Sequence, residues 1–241
     1  MEVNNLFVFW TGSNQIPDIR RRAIDSMSDT GLSVKLVTAD NLAEYMDLDK
    51  IHPAYQNLNL AHRADYLRAY FMHHFGGGYA DVKTIRESYL PMVKKLNSSD
   101  AYWAAGYKEV SRHGVANIYQ SSLHMGDAFH ERFYSYLKWR WLQLNYWRVI
   151  GNCAFIFKPG TDLTRRWWLE VNRRLDILQE DLEKHPAIYP KERGGVVYNG
   201  SLSRYPVPWS YILGDVLQLV VLRYSSRVLK DLPPPDFYEY Q

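Results

Sequence analysis

The sequence predicts an α/β fold, a mostly parallel central sheet flanked by helices, and three observations carry that expectation. An apolar run near the start ends at a loop and is followed by a helix and a second strand, the βαβ order of a Rossmann-like layer. A strong helix is later cut by a triple glycine and followed directly by another strand pattern. Hydrophobic residues make up 46% and charged residues 23% of the chain, the balance of a protein that buries a sizeable core.

Residues 6–10 (LFVFW) are halted by Thr11, Gly12, Ser13 and Asn14, as a buried parallel strand is at its loop. Pro17 and Asp18 open a helix through Ile19, Ala23 and Met27, with proline suited to the first turn. Residues 32–37 (LSVKLV) form the second strand and residues 41–46 a short helix. Residues 61–75 read as a helix in which Ala61, Ala64, Leu67, Phe71 and their neighbours make one apolar face. Gly76, Gly77 and Gly78 stop it, and residues 79–85 alternate as a strand. Residues 101–107 and 153–157 are further strands, while 128–146 and 162–183 are helical. The stretch 191–204, with Gly194, Gly195 and Gly200, reads as a mobile surface loop. No linker, repeat or low-complexity segment interrupts the pattern, so residues 1–241 are expected to fold as one domain.

The formal charge of +3 is small, and lysine and arginine are interspersed with acids, which leaves no electrostatic footprint for nucleic acid. One cysteine, Cys153, excludes an internal disulfide and a cysteine-based zinc site; its apolar neighbours make it a buried spectator. The first residues lack a basic region followed by a long apolar run, and no stretch reaches the ~20 apolar residues of a membrane span. A cytoplasmic protein without a membrane span is the expectation. Nineteen tyrosines and eight tryptophans supply rings that stack on nucleobases and sugars, or simply fill a core. Trp139, Trp141, Trp147 and the pair Trp167 and Trp168 read as helix-packing residues rather than sugar platforms. His73 and His74 have no acidic or cysteine partner at ligand spacing.

The chemistry concentrates around the triple glycine. Asp65 and Arg68, three residues apart, share a helix face, and the glycine turn returns the chain so that Asp81 lies near them at the carboxyl edge of the sheet. Ligands of open α/β sheets bind at that edge. An acid so placed carries little packing energy, so its loss is expected to cost little stability.

Ala64-Asp65, Arg68, Gly77, Tyr79 and Asp81 resemble the signature of GT-A glycosyltransferases of the capsular-polysaccharide-synthesis, mannosyltransferase and clostridial-toxin glucosyltransferase group: a helix with Ser/Ala-Asp-x-x-Arg, then Gly-Gly-x-Tyr-x-Asp-x-Asp. Phe9-Trp10-Thr11-Gly12 with Ile16-Pro17 is similar to that group's first strand and donor-base loop, and the stretch from Pro208 to Asp215 to the end of the capsular-synthesis type. The resemblance implies a GT-A nucleotide-diphospho-sugar transferase fold and a sugar transfer from a nucleotide-sugar donor, UDP-linked by default, to a glycan or glycolipid acceptor. It implies that Trp10, Thr11 and Gly12 line the nucleoside pocket, that Asp65 and Arg68 hold ribose or donor sugar and phosphate, and that Asp81 faces the diphosphate. Asn152 resembles a position near the acceptor side and counts among the binding residues, although Gly-Asn is also an ordinary turn pair.

The second acid of the Asp-x-Asp pair is Lys83 here. Two readings follow. Asp81 alone, with waters and substrate phosphates, holds Mn²⁺ or Mg²⁺; or the Lys83 ammonium neutralises the leaving diphosphate in place of a metal. Asp215 is the expected base for an inverting reaction, or else a residue that caps or solvates the final helix. The substitution at Lys83 also keeps open a nucleotide-sugar or carbohydrate-binding module whose catalytic motif has decayed.

Overall fold

The computed structural model describes residues 2–237. In chain order the elements are β1 (Asn5–Trp10), α1 (Asp18–Ser26), β2 (Ser33–Thr38), α2 (Leu60–His74), β3 (Gly77–Ala80), α3 (Leu90–Asn97), β4 (Ala104–Lys108), α4 (Ile118–His124), α5 (Phe129–Leu144), β5 (Ile150–Phe157), α6 (Asp162–Lys184), β6 (Val197–Tyr198), β7 (Ser201–Leu202), α7 (Gly214–Arg223) and β8 (Val228–Leu229). Six strands form one sheet in the order β2-β1-β3-β5-β4-β8. β1 pairs in parallel with β2 and β3, and β4 with β8, whereas β5 is antiparallel to both β3 and β4. Among the described strands of this sheet, β5 alone runs against the rest, so the architecture is mixed α/β with a mostly parallel sheet, as expected.

The strands are buried on both faces because their apolar residues alternate between two cores. Phe7, Phe9, Tyr79, Phe155 and Phe157 point into one core, which α2, α6 and α7 close with Phe71, Trp167, Leu175 and Leu217. Leu6, Val8, Ala80, Ala154 and Ile156 point into the other, closed by Met27 beyond α1 and by Val93 and Leu96 of α3. α6 shows why the first core is large: Leu163, Trp167, Val171, Leu175, Leu178 and Leu182 recur every three or four residues and are all buried. α2 is buried on more than the single face expected, with His62, Asp65 and Met72 enclosed as well, because it lies between the sheet and α6.

Several boundaries differ from the expectation. β3 begins inside the triple glycine and stops before Asp81, so the glycines are part of the strand rather than only a helix stop. Gly76 ends α2 at φ 65°, and Gly77 continues at φ 101°, a conformation open to glycine. A Cβ on Gly77 would sit 3.0 Å from the Asn5 carbonyl, and one on Gly78 2.8 Å from Leu6 Cδ1; bare backbone lets β3 lie against β1. β4 starts three residues later than predicted and β5 three earlier. Residues 41–46 make only a 3₁₀ turn at Leu42–Glu44, the first half of 191–204 leads into the hairpin β6-β7, and α3 and α4 were not foreseen. Trp167 is fully buried, but Trp141 and Trp147 lie on the outside, more than half exposed. Among the described residues, no helix is long and apolar enough to cross a membrane.

Candidate functional site

The carboxyl ends of β1 and β3 lie side by side, and because β5 is antiparallel its amino end arrives at the same edge, where Ala80 pairs with Ala154. Trp10, Thr11 and Gly12 leave β1 there, Asp81 leaves β3, and Asn152 and Cys153 are the two partly buried residues near the amino end of β5. The Asp81 amide donates to the Cys153 carbonyl at 2.8 Å, which ties the two strand ends together. α2 crosses behind this edge and contributes Asp65 and Arg68. A cleft of about 780 Å³ opens among these residues, within the ~300–1,000 Å³ typical of small-molecule sites.

Its inner wall is a charged cluster. Arg68 Nη2 donates to Asp81 Oδ1 at 2.9 Å and Nη1 to the Asn152 carbonyl at 3.2 Å, while Nη1 stands 3.5 Å from Asp65 Oδ1. The Tyr79 hydroxyl donates to the same Asp81 oxygen at 2.7 Å, and the Arg68 guanidinium lies over the Tyr79 ring at 4.2 Å. Lys83 Nζ approaches Asp81 Oδ2 at 3.4 Å and Cys153 Sγ at 3.2 Å. Arg68 Nε and Asn152 Oδ1 are buried without a hydrogen-bond partner among the described residues.

These contacts set the charges. Burial alone would raise Asp81, but the Arg68 and Lys83 charges and the Tyr79 hydroxyl outweigh it and hold the carboxyl below its usual range. Burial pushes Asp65 up to about 7: Arg68 pulls the other way, but Asp81 holds the nearer bond to that guanidinium and its charge adds to the rise. Burial would lower Lys83, yet Asp81 and Cys153 hold it above its ordinary value, so it stays an ammonium. Two cations thus flank one firmly ionised carboxylate. Among the described residues, no group of three or more His, Cys, Asp or Glu side chains is placed to hold a metal ion.

The sequence-predicted residues separate into two sets. Trp10, Thr11, Gly12, Asp65, Arg68, Asp81 and Asn152 line the cleft together. Lys83 stands behind Asp81 rather than in the lining, 9% exposed. Asp215 is fully enclosed: its Oδ1 accepts from Ser210 Oγ at 2.7 Å, and its Oδ2 has no hydrogen bond among the described residues and lies 3.9 Å from Arg174 Nη1. Burial raises it. Ser210 intervenes between Asp215 and the cleft. Cys153 is half-buried in the cleft wall against Lys83, not an apolar spectator.

Arg193, Trp209 and Ser210, for which the sequence predicts no role, also line the cleft. Trp209 and Ser210 fall within the stretch from Pro208 to Asp215, whose resemblance is the signal that points to them; Arg193 sits in the glycine-bearing loop with nothing in the sequence to single it out. Arg193 lies over the Trp209 ring at 4.4 Å. The wall they form is pinned to α2 by His62, whose Nε2 donates to the Trp209 carbonyl at 3.2 Å while Nδ1 accepts from the Tyr205 hydroxyl at 2.8 Å. Burial lowers His62 to about 4, so it serves as a neutral hydrogen-bonding strut. A second cleft, of about 660 Å³, shares Asn152, Arg193, Trp209 and Ser210 with the first and adds Asn117, Gln120, Ser121 and His124 from around α4.

A family described as capsular polysaccharide synthesis protein matches residues 1–149, well over half of the 241 residues. The matched stretch contains Trp10, Asp65, Arg68, Asp81 and Lys83 and ends before Asn152 and Asp215. No curated protein gives a significant match to the chain.

Proposed function

We propose that this chain, which belongs to the capsular polysaccharide synthesis protein family, is a GT-A glycosyltransferase that moves a sugar from a nucleotide-sugar donor, UDP-linked by preference, to a glycan or glycolipid acceptor. The observation that carries this reading is the cluster of Asp65, Arg68 and Asp81 at the carboxyl edge of the sheet, where a guanidinium held between two carboxylates lines the cleft. A diphosphate is the ligand that such a group suits.

The donor occupies the larger cleft, its nucleoside end toward Trp10 and Thr11 and its diphosphate on Arg68. When the bond between the anomeric carbon and the phosphate oxygen breaks, the electron pair leaves with the nucleoside diphosphate, and a preorganised cation stabilises the charge that develops. Lys83 holds Asp81 ionised and oriented from behind. This donor set fits a divalent ion poorly, because both Asp81 oxygens already face cationic or hydroxyl donors; Arg68 is the better reading for charge neutralisation, with Lys83 balancing the Asp81 charge behind it. The acceptor enters from the second cleft, whose amide, hydroxyl and imidazole lining suits a saccharide, and meets the donor at Asn152 and Ser210. Asp215 lies behind Ser210, to which it is hydrogen-bonded: in an inverting reaction the acceptor hydroxyl gives its proton to Ser210 Oγ as Ser210 gives its own to Asp215.

The test is donor hydrolysis with a panel of nucleotide sugars. Release of nucleoside diphosphate from one of them is the expected result. Binding of a donor with no release, with or without acceptor glycans and Mn²⁺, would instead favour a decayed binding module, a reading supported by the cation at position 83.

A further inference from the structure

α5 carries its apolar residues on the wrong side for a surface helix. Phe129, Phe133, Leu137, Trp141 and Leu144 follow at steps of four and three residues, so they share one face. All are exposed, Phe129 by 79%, Trp141 by 55% and Leu144 by 60%, and Trp147 just beyond the helix is exposed as well. The opposite side, with Leu142 and Gln143, is the buried one and packs toward α4 and α7. Contiguous apolar faces of this kind mark a surface that something covers.

The charge balance of this segment points to the partner. Over residues 129–148 the cations Arg132, Lys138, Arg140 and Arg148 stand against a single acid, Glu131. A second copy packed face to face about a twofold axis would bring eight such cations together against two acids. An anionic lipid surface complements both features: the aromatic and aliphatic side chains enter the acyl boundary, and the lysine and arginine heads remain with the phosphates. We propose that α5 docks this protein on an anionic bilayer surface, lying in the interfacial plane without crossing it. The helix that α5 packs on, α4, lines the second cleft with Gln120, Ser121 and His124, so docking sets that cleft one helix away from the lipid. The docking itself does not depend on glycosyl transfer.

The experiment sediments the protein, with no nucleotide sugar present, with vesicles of phosphatidylglycerol and phosphatidylcholine and with vesicles of phosphatidylcholine alone. The wild type is expected to pellet with the mixed vesicles and to bind at least ~10-fold more weakly to the neutral ones or in high salt. The variant Phe133→Ser/Leu137→Ser/Trp141→Ser/Leu144→Ser is expected to lose at least ~10-fold in binding while keeping its circular dichroism, since these side chains leave the core untouched. Should the serine variant unfold, Lys138→Glu/Arg140→Glu replaces it, with the same loss expected. Three results overturn the proposal: wild type left in the supernatant with both vesicles, variants that pellet like the wild type, or a dimer in light scattering that the variants dissociate while vesicle binding is absent.

Discussion

Asp81 answers two cations at once, so its removal does more than delete a ligand. Asp81→Asn takes from Arg68 its nearer carboxylate, leaving it Asp65 at 3.5 Å, and from Lys83 the carboxylate at 3.4 Å; breaking a buried pair of this kind costs ~3 kcal/mol. The small stability effect that a strand-end acid suggested therefore gives way to a measurable one: the variant should lose nucleoside-diphosphate release by ~10²-fold or more and also unfold at lower urea concentration than the wild type. Lys83 permits a sharper experiment. Lys83→Asp recreates an Asp-x-Asp pair beside the cleft and removes the ammonium, so turnover of this variant should respond to Mn²⁺ where that of the wild type does not. An identical metal response in the two proteins would refute the role given to the ammonium.

At the scale of elements, β3 depends on glycine more than on its one large residue. Gly77→Ala places a side chain at φ 101° and 3.0 Å from the Asn5 carbonyl, a strain of ~1–3 kcal/mol, read as a lower urea midpoint with the slope of the transition unchanged. This strand also illustrates what was legible in the sequence. The motif located Asp65, Arg68 and Asp81 correctly in one cleft because their spacing is local: a helix face, a turn and a strand end. Placing β3 at 79–85 failed because a triple glycine reads as a break when seen alone, and only the neighbouring strand shows why bare backbone is needed. α3 and α4 escaped notice because helices of one or two turns that bury only a few apolar residues carry little periodicity. Arg193, Trp209 and His62 escaped for another reason: Trp209 and His62 meet across 147 residues of chain, and Arg193 and Trp209 come from separate loops; sequence spacing says nothing of such contacts.

Across the whole molecule, two buried groups at the site pull stability in opposite directions with pH. Folded His62 is lowered to about 4 from 6.5, so the unfolded chain takes up a proton that the folded one refuses, and stability rises with pH over that interval. Folded Asp65 is raised to about 7 from 3.8; its contribution is complete below about pH 4 and is lost as pH climbs through 7. The two partly cancel in the wild type. Asp65→Asn removes the opposing half, so its melting temperature should climb between about pH 4 and 6.5 by at least ~3 °C more than that of the wild type; parallel curves would place the Asp65 proton elsewhere. The reversed strand has a consequence for how such a protein diversifies. Lys108 pairs with Ile150, so residues 109–149 depart from the sheet and rejoin it at the same rim of the cleft. That excursion carries much of the second cleft and all of α5, and it can be shortened, lengthened or exchanged for another without reordering a single strand of the sheet that holds Asp81.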